Sequence, residues 1–156
     1  MKLQDAYASE TGAAGTWKLI GYIAPGAKDA SNDKKYSTNV FDYTDEFTGT
    51  TNNTTMVNQL SSNADGWKAE AKTALNDCGI KSTWEMSFKQ SGTGDALAYT
   101  AKIVPAANSD STSCASLTAI FGNIAHHYSL KYYKTSKALP SGGLLLYITD
   151  SVIYRL

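Results

Sequence analysis

The chain has 156 residues, 42% of them apolar and 18% charged, enough for one domain with a real core. Its fourteen basic and fourteen acidic residues cancel, which excludes the cationic surplus that nucleic acid or an anionic membrane surface demands of a partner. No stretch reaches the roughly 20 apolar residues of a membrane helix, and no apolar signal-peptide core follows Lys2.

Residues 1–14 read as a short helix with Leu3, Ala6, Tyr7 and Ala14 on one face, ended by Gly12 and Gly15. "TWKLIGYIAPG" then offers Trp17, Leu19 and Ile23 to the core before a Pro25-Gly26 turn. "AKDASNDKKYS" reads as a solvated loop. "TNVFDYTDEF" alternates, with Phe41, Tyr43 and Asp45 opposed to Val40, Asp42 and Thr44, and so predicts a strand. The Thr- and Asn-rich stretch 48–62 reads as loop with a turn of helix around Met56–Leu60.

Residues 63–79 carry helix signals. Asn63 or Asp65 can cap the start, Gly79 can end it, and Trp67, Ala71, Ala74, Leu75 and Cys78 share a face. In "KSTWEMSFKQ", Trp84, Met86 and Phe88 alternate with Thr83, Glu85, Ser87 and Lys89. "SGTGD" is a turn, and "ALAYTAKIV" follows with Leu97, Tyr99, Ala101 and Ile103 on one face. The two runs form an antiparallel hairpin ended by Pro105. "CASLTAIFGNI" reads as a short helix turning Cys114, Leu117, Ile120 and Phe121 inward. Two more strands fit residues 126–156, where "LLLYITDSVIYRL" would be a sticky edge unless paired.

Chemistry-bearing residues are sparse. His126 and His127 are neighbours, which on a strand point to opposite faces and do not chelate together. Cys114 as a nucleophile needs a base and an orienting partner, and no such trio stands out. Asp42, Asp45 and Glu46 cluster on one segment, but a Ca²⁺ site needs six or more oxygens and a solvated face explains them more simply. "SGTGD" at 91–95 lies between strands rather than before a helix, so it reads as a hairpin turn and not a phosphate loop. Trp17, Trp67 and Trp84 could stack on sugars, yet Trp67 and Trp84 sit on apolar faces and read as core; tyrosines at 128–133 remain candidates for exposure. Asn52 and Asn53 begin glycosylation sequons, meaningful only in a eukaryotic secretory route. No catalytic residue, metal ligand or cofactor is therefore expected, and the chain does not read as an enzyme.

The Ser, Thr, Asn, Gly and Ala content and ten tyrosines suit an extracytoplasmic protein. There the pair Cys78 and Cys114 suggests one disulfide; two free buried thiols, or a fragment of a metal site, are the alternatives.

"YASETGAAGTWKLIGYIAPG" followed by "STNVFDYTD", and "LNDCGIKSTWEMSFKQSGTGDALAYTAKI" with the later "CASLTAIF", resemble the globular domain of a bacterial type IV pilin or pseudopilin. The resemblance covers roughly residues 1–124. It implies an α+β fold, an N-terminal helix packed on an antiparallel β-sheet with short extra helices, in a single domain over 1–156. Residues 1–14 would be the remnant of a long helix whose apolar stem is missing ahead of Lys2. The implied function is a structural subunit of a pilus or pseudopilus, with roles in adhesion or secretion and with methylation. The implied partners are other pilin subunits and the inner membrane, reached through the stem, with surface or carbohydrate ligands possible at the loops. The implied location is a cell-surface filament. Residues 126–156 fit no part of the pattern and read as extra strands or an added tail. The alternative function is a secreted carbohydrate-binding or adhesive β-rich module.

Overall fold

A computed structural model describes residues 1–107, 109 and 111–124. The chain opens with α1 (Lys2–Thr11), β1 (Ala13–Gly15) and the single turn α2 (Trp17–Ile20). Strands β2 (Ala27–Lys28), β3 (Lys35–Ser37), β4 (Phe41–Asp45) and β5 (Thr54–Met56) follow. Three longer strands come next, β6 (Ala64–Ala71), β7 (Thr83–Gln90) and β8 (Leu97–Val104), and then α3 (Ser111–Leu117). Short 3-10 turns lie at Val57–Gln59 and Phe121–Asn123.

Six strands make one antiparallel sheet in the order β2-β3-β4-β6-β7-β8, while β1 and β5 pair separately. Register sorts the side chains into rows. Tyr36, Tyr43, Ala69, Trp84 and Ile103 are successive cross-strand partners on the inner face, and Asp45, Trp67, Met86 and Ala101 form the next row. The outer face carries Lys35, Thr44, Lys68, Glu85 and Lys102 in line. This is the period-two pattern of a half-buried sheet. Gly66 interrupts it as a bulge between Asp65 and Trp67. A Cβ there would come within 2.7 Å of the Met86 carbonyl oxygen, so only glycine fits without a shift.

The expectation of a pilin-like α+β fold, with the N-terminal helix packed on the sheet, is corrected. The molecule is mostly β. α1 has 10 residues, about 15 Å of helix, too short to cross six strands. Its end is set by Gly12, which takes the left-handed conformation (φ 68°) and donates its N–H to the Ala8 carbonyl. The helix packs chiefly on β1 and α2. It meets the large sheet at its first turn, where the Tyr99 hydroxyl donates to Asp5 at 2.6 Å and Met1 packs against the sheet's core. The buried residues of α1 are Gln4 and Ala8, not the Leu3 and Ala6 of the expected face. Gln4 is held by a reciprocal pair: its amide nitrogen donates to the Gly15 carbonyl (2.9 Å) and its amide oxygen accepts the Gly15 N–H (2.8 Å).

The β7–β8 hairpin, the β4 strand and the turn of helix near Met56–Leu60 form where expected. The helix expected at 63–79 is instead β6 and the turn after it, tied by the Leu75–Cys78 bridge. Pairing with β4 on one side and β7 on the other overrides the helix preference of its alanines. The "solvated loop" at 27–37 contains β2 and β3. Trp17 is buried, but Leu19 is exposed and Ile23 is 75% exposed. Cys114 and Phe121 turn inward, whereas Leu117 and Ile120 do not. The strands and tail expected at 126–156 lie outside the described residues.

The disulfide forms between Cys78, in the turn after β6, and Cys114 in α3, both fully buried. It joins Ala69, Ala71, Trp84, Met86 and Phe121 in one core cluster. A second cluster, Ala14, Phe47, Leu60 and Phe88, lies between the small sheet and the large one.

Candidate functional site

Among the described residues a groove of about 490 Å³ opens on the inner face of the sheet. Its floor is Trp67 on β6, Met86 and Phe88 on β7, and Tyr99 on β8. One wall is the first turn of α1, Met1 to Gln4; another is Trp17, Ile20 and Tyr22 from α2 and its exit. Phe121 and Ile124 close the far rim. The lining is predominantly apolar and aromatic, with Lys2, Gln4 and Asp45 as polar points, the general make-up of a binding groove.

Each wall is fixed by a specific bond. Asp45, last residue of β4, is buried and accepts the Trp17 N–H at 2.8 Å and the Phe47 N–H at 3.2 Å. The first of these bonds satisfies a free amide at the start of α2 from 28 residues away. Burial pushes the Asp45 carboxyl above the ordinary Asp value, against the lowering effects of the two N–H groups and Lys34. Tyr99 is tied to Asp5, and burial together with that bond raises its hydroxyl well above the usual tyrosine range, so it stays protonated. Trp67 meets Phe121 edge-on with ring centroids 5.9 Å apart. Tyr22 packs on Trp17 in the same manner at 5.0 Å.

The structure scatters the residues that sequence grouped. Asp42 lies on the outer face with Lys72 at 3.4 Å and the Ser37 hydroxyl donating to it. Asp45 points into the groove, and Glu46 pairs with Lys68 at 3.1 Å. Three carboxylates adjacent in sequence thus serve three separate purposes. Among the described residues no group of three or more His, Cys, Asp or Glu is placed to hold a metal ion. Cys114 is in the disulfide and has no free thiol. Residues 91–95 form the β7–β8 turn, with Gln90 donating to the Gly94 carbonyl at 2.8 Å. Asn52 and Asn53 stand exposed at positive φ (50° and 64°) in the turn between Thr51 and Thr54. His126, His127 and the tyrosines at 128–133 lie outside the described residues.

Of the three tryptophans, Trp17 and Trp84 are buried and Trp67 is half-buried on the groove floor. Gln4, Tyr99 and Phe121 are groove residues that sequence reasoning did not single out as functional. Strand alternation signalled that Tyr99 faces inward; nothing signalled the groove that the described residues leave above it.

No family model, curated protein or solved structure matches the chain.

Proposed function

We propose that this chain is the globular part of a structural subunit of a type IV pilus or related pseudopilus, joined to its neighbours through an apolar helical stem ahead of Lys2. The sequence resemblance at 7–26, 37–45, 75–103 and 114–121 supports it; the helix-on-sheet packing that the resemblance implies gives it no support. The observation that carries it is the apolar groove beside the first turn of α1, which among the described residues no loop fills and which offers part of the Trp67 and Tyr22 rings to a partner element. The disulfide, which resists reduction outside the cytoplasm, suits a subunit anchored in the inner membrane before assembly and displayed on the cell surface after it.

The test is expression of the chain with its natural upstream sequence in a host carrying a pilus-assembly system. Filaments labelled by antibody against residues 1–124 are expected in electron micrographs. A natural upstream sequence consisting of a cleavable leader and a linker overturns the reading.

A secreted carbohydrate-binding module is the second reading, favoured by one observation: Trp67 and Tyr22 present partly open aromatic surface in the same groove. Saturable quenching of tryptophan fluorescence by an oligosaccharide, lost in Trp67→Ala, would establish it in place of the first.

A further inference from the structure

The two edges of the large sheet are unlike. β2 is two residues long, too short to recruit another strand. At the opposite edge β8 runs for eight residues, Leu97 to Val104, and among the described residues pairs only with β7. It contains no proline and no bulge; Pro105 lies just past its end. Its single charge, Lys102, belongs to the outer face, opposite Glu85. Among the described residues, the devices that usually blunt an edge are therefore nearly absent.

We propose that β8 is an interaction surface for a second copy of this chain, the two β8 strands pairing antiparallel about a two-fold axis at Ala101 to make one continuous twelve-stranded sheet. Two antiparallel strands related by a two-fold axis have that axis perpendicular to the sheet, so each residue meets one on the same face, inner with inner and outer with outer. Four registers centre near the middle of the strand. Centring on Tyr99 sets the two tyrosines directly opposite and leaves Lys102, Ile103 and Val104 beyond the end of the paired strand. Centring on Lys102 sets two like charges opposite one another. Centring on Thr100 puts Lys102 against Ala98 and Tyr99 against Ala101. Centring on Ala101 sets Tyr99 against Ile103 twice, an aromatic with a β-branched residue, and Lys102 against Thr100 twice. That register extends the inner apolar rows across the junction and leaves no like-charge contact.

A second feature lies beside the same edge. The 3-10 turn Phe121–Asn123 packs on β8, and the segment leading into it carries the exposed Leu117 and Ile120, the latter 73% exposed. The axis brings both copies of this segment to the same side of the sheet, next to the junction, where these side chains gain apolar neighbours. The proposal goes beyond the filament reading and stands whether or not the chain builds one, because it concerns the chain without any upstream segment.

The experiment is sedimentation velocity of the purified chain over a concentration series, with hydrogen exchange of the β8 amides. A reversible dimer is expected, with those amides protected as it forms. Thr100→Lys places lysine opposite Lys102 twice and should weaken the dimer by about 2- to 30-fold in Kd; Thr100→Glu should tighten it by a similar factor. Thr100→Lys combined with Lys102→Glu should restore it. Thr100 is exposed on the outer face, so the monomer tolerates both replacements. A dimer indifferent to these charges overturns the proposal, since it then uses another surface. A monomer at all concentrations overturns it too, and protected β8 amides in that monomer would show that the chain's own residues beyond Ile124 cover the edge.

Discussion

Trp84 and Trp67 sit on neighbouring strands, on the same face of the same sheet, and meet different fates. Trp84 is 4% exposed, packs edge-on to Phe41, and donates its indole N–H to the Thr118 hydroxyl at 2.7 Å. Trp67, one row away, is half-buried on the groove floor with Phe121 as its aromatic neighbour. The strand pattern treats them alike. What separates them is the layer above. Over Trp84 the disulfide draws α3 and the turn after β6 down into a closed lid. Over Trp67 the first turn of α1 and the exit of α2 stand apart and leave the groove. A strand's period fixes which face a residue takes; the cover decides whether that face becomes core or surface.

The largest test of this contrast is truncation of the two rings. Trp84→Ala should lose about 3–5 kcal/mol, because it empties a sealed site and strands the Thr118 partner. Trp67→Ala should lose less, about 1–3 kcal/mol, as its ring is only partly buried. Urea unfolding at neutral pH measures both, and equal losses would erase the distinction. Opening the lid comes next. Cys78→Ser with Cys114→Ser should lose about 2–4 kcal/mol and expose the segment between them to protease, since the bridge closes a loop with a sequence separation of 36. Unchanged protease resistance there would mean the lid stands without its bond.

The groove wall gives a smaller effect with a defined sign. Asp45→Ala leaves the buried Trp17 N–H without its acceptor and should lose about 1–3 kcal/mol. The folded carboxyl titrates above its unfolded value near 3.8, so the folded chain holds the proton more tightly than the unfolded one. Keeping Asp45 charged therefore costs stability at neutral pH, and the cost is relieved as pH falls through the folded pKa. The wild type should gain on Asp45→Asn between pH 7 and pH 4 in urea titrations. A gap moving the other way would show that Lys34 and the two N–H groups outweigh burial. Smallest of all, acrylamide should quench Trp67 well ahead of Trp84, read by comparing Trp84→Phe with Trp67→Phe at unchanged stability.

The same distinction explains how much could be read from residues alone. The β7–β8 hairpin was legible because its alternation is strict and its turn is rich in glycine, and the cysteine pair was legible from its composition. β6 was not. Ala69, Ala71 and Ala74 carry helix preference, and the Gly66 bulge breaks the alternation that would have betrayed a strand. β2 and β3 were hidden because short strands near an edge have polar sequences like those of loops. Of the groove, sequence gave the inward direction of Met86, Phe88 and Tyr99. Its openness depends on how α1, α2 and the Phe121 turn are spaced in three dimensions, which no local pattern encodes.

The bond between Asp5 and Tyr99 spans 94 positions of the chain. At a synthesis rate of about 5–20 residues per second, the first helix waits on the order of 5–20 s before its partner strand leaves the ribosome. During that interval Met1 and Asp5 have no sheet to rest on, and the contacts that seat the helix form only after β8 has emerged.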